Sequence, residues 1–169
     1  MKRLVDARSA ELDSVAQAIK ASVVTRLGVK ETAGSPGSNE VIALRGILER
    51  FRPEIVLLPW LLDNHALHRA TNKLFAEAAQ GIRTMVLGYE IWELLVPNAF
   101  LDITHVLDKK IELVRKFPTQ LRTVDYEGYV LALARSRAFH CPVRDRRDGA
   151  VEAYLALPCS DYCDLVRLA

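Results

Sequence analysis

The feature that most constrains this chain is the apolar run Glu54-Ile55-Val56-Leu57-Leu58-Pro59, closed in by Pro53 and Pro59. A run this short and this apolar is what a strand covered on both faces looks like, and such strands belong to parallel sheets with helices on either side. The flanking sequence agrees. Val41, Leu44, Leu48 and Phe51 recur at helical spacing before the run, Ser38 or Asn39 can cap that helix, and Arg52-Pro53 ends it. After the run, Trp60 to Asn64 is a loop, and Asp63 or Asn64 can cap a helix to about Gln80 with Leu67, Leu74, Phe75 and Ala78 inward. Helix, strand, loop and helix in this order predict an α/β fold.

The remaining segments fit that frame. Ala10, Val15, Ala18 and Ile19 give one face of a helix from about Ala7 to Ala21, and Val23 to Leu27 reads as a short strand. Gly28 to Asn39 is a loop, and Gly34, Ser35 and Gly37 do not match a phosphate loop because no lysine follows in register. Thr84 to Trp92 and Phe100 to Ile103 are further strands, and Thr104 can cap a helix carrying Leu107, Ile111 and Val114. Another helix covers Tyr126 to Ala138. Val151, Ala153, Leu155 and Leu157 then alternate with Glu152, Tyr154 and Ala156, a strand with one face buried.

At 169 residues the chain has the size of a single domain, 1–169, and its net charge of +2 gives no reason to expect nucleic acid or an anionic membrane as partner. The basic stretch Arg144 to Arg147 is broken by Asp145 and reads as a solvated loop. There is no signal peptide pattern and no membrane-length apolar run, and three cysteines do not make a disulfide scaffold, so a soluble, cytoplasmic protein is expected.

The chemistry concentrates in Asp63-Asn64-His65-Ala66-Leu67-His68. It follows the carboxyl end of the apolar strand, where open α/β sheets bind ligands. Histidines three apart at a helix start share a face and can aim at one point. Neutral imidazole is a good zinc ligand, a helix N-terminus favours an anion, and Asp63 can fix one ring's tautomer or serve only as a cap. Cys159 and Cys163 with His140-Cys141 are a weaker metal candidate, against plain buried thiols. Trp60 is a sugar-stacking platform or a packing residue, Tyr89 and Trp92 are packing residues with substrate contact open to them, and His105 is an exposed first-turn residue.

Arg52-Pro53-Glu54 entering the apolar run, followed by Asp63-Asn64-His65-Ala66-Leu67-His68, resembles the second signature of the PIG-L (LmbE-like) family of N-deacetylases. Tyr89-Glu90-Ile91-Trp92, Asp102-Ile103-Thr104, Lys109-Lys110, Gln120 with Tyr126, and Arg8 with Glu11 are similar to further family pieces. The resemblance implies a Rossmann-like three-layer α/β/α fold with a mostly parallel sheet. It also implies zinc-dependent removal of an acetyl group from an N-acetylglucosamine conjugate, a small N-acetylated amino sugar. By motif, His68 is the metal ligand, His65 the acid or electrophilic group, and Asp63 their orienting carboxylate. The chain departs from the pattern in Ala66-Leu67, and it contains no His-Pro and no Asp-Asp, the family motif that supplies the other metal ligands and the base. The first strand is therefore expected to be missing. The chain is read as an incomplete, inactive deacetylase domain prone to homo-oligomer formation through an open sheet edge, or alternatively as a non-catalytic scaffold of the same fold.

Overall fold

A computed structural model describes residues 2–28, 37–141 and 148–169. The elements are α1 (Lys2–Ala18), α2 (Ser38–Phe51), β1 (Ile55–Pro59), α3 (Ala66–Ala78), β2 (Met85–Tyr89), β3 (Ala99–Asp102), α4 (Leu107–Val114), α5 (Pro118–Leu121), α6 (Tyr126–His140), β4 (Val151–Pro158) and α7 (Cys159–Leu168). The strands form one sheet in the order β1-β2-β4-β3. β1 and β2 are parallel, with Val56 beside Val86, and β4 runs antiparallel to β2, with Val86 beside Leu157. This is the α/β, Rossmann-like class expected from the sequence. No helix among the described residues is long and apolar enough to cross a membrane. Gly34, Ser35 and the Arg144–Arg147 stretch lie outside the described residues.

Two compact units make up the chain, one from 26–100 with 153–169 and the other from 1–25 with 101–152. In the first, α2 ends where Arg52 turns left-handed at φ 44°, its N–H donating to Leu48 O, because Pro53 disfavours another helical residue before it. Val56 and Leu58 of β1, Val86 of β2, and Leu155 and Leu157 of β4 share one sheet face, and α2, α3 and α7 cover it with Leu48, Phe75, Ala78, Tyr162 and Val166. Gly88 of β2 leaves room for the Tyr162 ring, whose hydroxyl would lie 3.4 Å from an added Cβ. Cys159 and Cys163 sit in this core as free thiols with sulfurs 3.8 Å apart, and burial pushes the Cys159 thiol up to about 12. Among the described residues, no three His, Cys, Asp or Glu side chains gather as a metal site, so these cysteines have no such cluster around them.

The second unit has its own small core of Ile103, Ala134 and Ala150 with Leu107 against it. Glu11, although buried, is satisfied: both its oxygens accept from Thr119, the backbone N–H and the hydroxyl each at 2.7 Å. That bond ties α1 to the start of α5 and gives the Arg8–Glu11 helix a structural purpose. His105 is exposed in a single 3-10 turn before α4.

Three sequence expectations need correction. Val23 to Leu27 is not a strand. Its β-branched residues have no neighbouring strand to pair with among the described residues, and Val23 is 57 % exposed. The helix α7 has no counterpart in the sequence reading. Most consequentially, β1 is not covered on both faces: Ile55 and Leu57 are each 57 % exposed, and Met85 beside Ile55 is 39 % exposed. β1 is the outermost strand, with no strand on its far side among the described residues. Because Glu54 O and Trp60 N–H bond toward β2, the alternation turns the backbone groups of Ile55 and Leu57 to the open edge. Covering such side chains is worth about 1.5–3 kcal/mol each, and an unguarded edge invites pairing. The isolated chain should self-associate at micromolar concentration in sedimentation velocity, and Leu57→Lys should shift it toward monomer. A monodisperse wild-type monomer that unfolds cooperatively would contradict this reading.

Candidate functional site at the head of the third helix

The site grows from the carboxyl end of β1. Trp60 N–H donates to Tyr89 O at 2.7 Å, keeping β1 and β2 together to their last residues, and Asp63 N–H then closes a turn onto Trp60 O. The chain turns into α3 with Asp63 completely buried. Its carboxylate is fully used. Oδ1 accepts from the His65 N–H and from His68 Nδ1, and Oδ2 accepts from the Trp92 N–H, all at 2.9 Å. Arg69 donates to the Asp63 carbonyl at 2.9 Å. Burial pushes the Asp63 pKa up, but the bonds from His65, Trp92 and His68 outweigh it and hold the group below the ordinary carboxylate range.

An ionised carboxylate only accepts, so the His68 nitrogen facing it, Nδ1, carries the proton. The neutral ring therefore presents a bare Nε2. His65 is fixed the other way. It is the N-cap of α3, and its Nδ1 accepts from the Leu67 N–H at 3.3 Å. An accepting Nδ1 leaves the proton on Nε2 in the neutral ring. The two rings lie 4.6 Å apart between centroids and are tilted by 32°. One imidazole thus offers a lone pair and the other an N–H, side by side at a helix N-terminus. Cap duty falls to His65 rather than Asp63 or Asn64, because the Asp63 carboxylate is turned inward and Asn64 donates to Glu93 at 2.7 Å.

Asn72 belongs to the site although sequence reasoning does not single it out. Fully buried, it donates to Pro59 O and to His68 O, both at 2.9 Å, and its own oxygen accepts from the Tyr162 hydroxyl at 2.7 Å. It fastens the first turn of α3 to the end of β1. The available signal is an amide four residues beyond His68 on the apolar face of the helix. Trp60 packs against the core cluster, whereas Trp92 is 40 % exposed. A cavity of about 690 Å³ lies at the opposite end of β2, lined among others by Gln80, Arg83, Thr84 and Cys163, and neither histidine borders it.

His68 offers one open nitrogen, and no group of three His, Cys, Asp or Glu side chains that could hold a metal occurs among the described residues. A catalytic zinc normally takes three protein ligands. The described residues therefore do not amount to a zinc site by themselves.

No protein-family model matches the chain, and no curated protein matches it. Solved structures do. The conserved protein TT1542 from Thermus thermophilus superposes with a TM-score of 0.76 at 18% identity, covering 90% of this chain and 74% of that one. GalB, the 4-carboxy-2-hydroxymuconate hydratase from Pseudomonas putida KT2440, gives 0.65 at 23% identity, covering 90% and 71%. At these identities the likeness establishes the α/β fold.

The Asp63 arrangement makes a stability prediction. A carboxyl whose folded pKa lies below its unfolded value of 3.8 contributes stability above that value and loses it as pH falls through the folded pKa. Asp63→Asn should cost about 1–3 kcal/mol in urea unfolding at pH 7 through the imperfectly replaced acceptors. Its deficit should shrink in acid, as the wild type loses the same contribution. A pH-independent deficit would show that the charge is not what matters.

Proposed function

We propose that this chain carries the histidine half of an amide-hydrolysing site of the N-deacetylase type, acting on N-acetylglucosamine conjugates or similar amides. The observation that carries the reading is the pair of adjacent imidazoles, with Nδ1 of His68 against the Asp63 carboxylate and Nδ1 of His65 against the Leu67 N–H. Amide hydrolysis needs a group to take a proton from the attacking water or to bind the cation that activates it, a donor for the carbonyl oxygen as it becomes an oxyanion, and an acid that returns a proton to the amine as the C–N bond breaks. His68 Nε2 suits the first task and His65 Nε2–H the second, with Asp63 stabilising any positive charge on the His68 ring. The resemblance to PIG-L deacetylases assigns the same residues in the same order, and the fold hosts enzyme chemistry in the similar GalB hydratase.

Because the described residues do not complete a zinc site, acetate release by the chain as it stands is expected near the uncatalysed rate. Binding therefore tests the proposal better than turnover. Zinc added to the dialysed chain should bind weakly, shift the His68 Nε2 resonance in nitrogen-15 spectra, and lose that effect in His68→Ala. Asp63→Asn should weaken it by about 10- to 100-fold. N-acetylglucosamine should perturb the His65 ring. Full zinc retention by His68→Ala, or a sugar that moves neither ring, would overturn the assignment. It would favour the second reading, a non-catalytic scaffold of the same fold.

A further inference from the structure

The two cysteines of α7 form a pair that the histidine chemistry does not involve. Cys159 and Cys163 are four residues apart, hence on one helix face, and their sulfurs stand 3.8 Å from each other. Both residues are buried, and both are free thiols. Both also border the cavity beyond the start of β2, together with Arg83, Asp164 and Arg167, so a small ion has a way in. The pair is well anchored. The Cys159 N–H donates to Thr84 O at 2.9 Å, at the entry to β2, and its thiol donates to Ala79 O at 3.8 Å.

Distances decide between the uses of such a pair. A disulfide needs β-carbons about 3.8 Å apart, whereas helix positions four apart hold theirs at about 5–6 Å, so closing that bond would unwind the first turn of α7. Zinc takes three or four protein ligands, and among the described residues no third His, Cys, Asp or Glu joins the two sulfurs. A soft monovalent ion fits better. Cu(I) seeks thiolates and is satisfied by two of them. Bonds of roughly the 2.3 Å that zinc makes to sulfur put two sulfurs on one ion at most about 4.6 Å apart. Small side-chain rotations reach that from the observed 3.8 Å. Burial pushes the Cys163 pKa up, while the Cys159 contact and Arg167 pull the other way, so the ion must displace protons and bind sulfur strongly. Two thiolates on a monovalent cation leave a net negative charge. The start of α7 and Arg83 favour it; Asp161 opposes it, and Arg167 is shared with Asp164 at 2.6 Å.

We propose that Cys159 and Cys163 form a two-coordinate site for a soft monovalent cation of the Cu(I) class, entered through the cavity that both residues border. On binding, each S–H gives its proton to solvent and each sulfur forms one bond to the ion. The copper stays Cu(I), and no electron is transferred. The site is independent of the deacetylase-type reading, since neither histidine borders the cavity.

Anaerobic titration of the full chain with the Cu(I) complex of bicinchoninate tests it. The chain should withdraw one ion per molecule, bleaching the complex, and hold it against about a hundredfold excess of zinc. X-ray absorption on the loaded wild type should show two sulfur neighbours and no nitrogen, a readout that does not depend on any variant folding. Cys159→Ser and Cys163→Ser, each checked for a native circular dichroism spectrum, should weaken binding by more than the about 10- to 100-fold that losing a supporting contact costs. Cys141→Ser and His68→Ala should leave it unchanged. Nitrogen in the coordination shell, a dependence on Cys141 or His68, or an ion retained by both folded cysteine variants would overturn the site. So would half an ion per chain, which would place the thiolates on two different copies.

Discussion

Everything about the candidate site depends on one buried carboxylate. Asp63 is out of contact with solvent, and an unpaired charge there would be prohibitive. It is tolerated because three donors converge on it, from the residue two ahead, from a ring five ahead, and from a backbone N–H twenty-nine residues away. The same bonds that make the charge bearable also decide the tautomer of His68, the entry of the chain into α3, and the position of the segment after β2. Stability and the geometry of the histidine pair are here two consequences of one set of hydrogen bonds.

A second buried group keeps that arrangement attached to the sheet. Asn72 joins the last carbonyl of β1 to the first turn of α3, and Tyr162 from α7 fills its remaining acceptor. Amides and phenols buried with all partners present give a unique geometry, whereas the surrounding leucines and alanines give mainly adhesion. The rings of His65 and His68 therefore stand on a strand–helix junction fixed by buried hydrogen bonds.

Much of this is legible in the sequence where local chemistry decides the outcome. Proline at position 53 ends α2, the apolar run marks β1, and the alternation from Val151 marks β4. The histidine pair can be placed on one helix face from spacing alone. What escapes is decided by distant partners. Val23 and Val24 favour strand but have nothing to pair with among the described residues. α7 begins directly after Pro158, and its inward residues include two cysteines and a tyrosine, a weak helical signature. Capping by His65 is hidden from the sequence, because it depends on Asp63 being drawn inward by Trp92. The apolar content of β1 suggests cover on both faces, yet Ile55 and Leu57 are bare: a composition suited to burial does not reveal what does the burying.

The central claim is that the two imidazoles are locked in opposite tautomers, and nitrogen-15 correlation spectra of the neutral histidine rings measure this directly. His68 should carry its proton on Nδ1 and His65 on Nε2, and Asp63→Asn should disturb the first and not the second. Both rings in the same tautomer, or both averaging freely between the two forms, would contradict it.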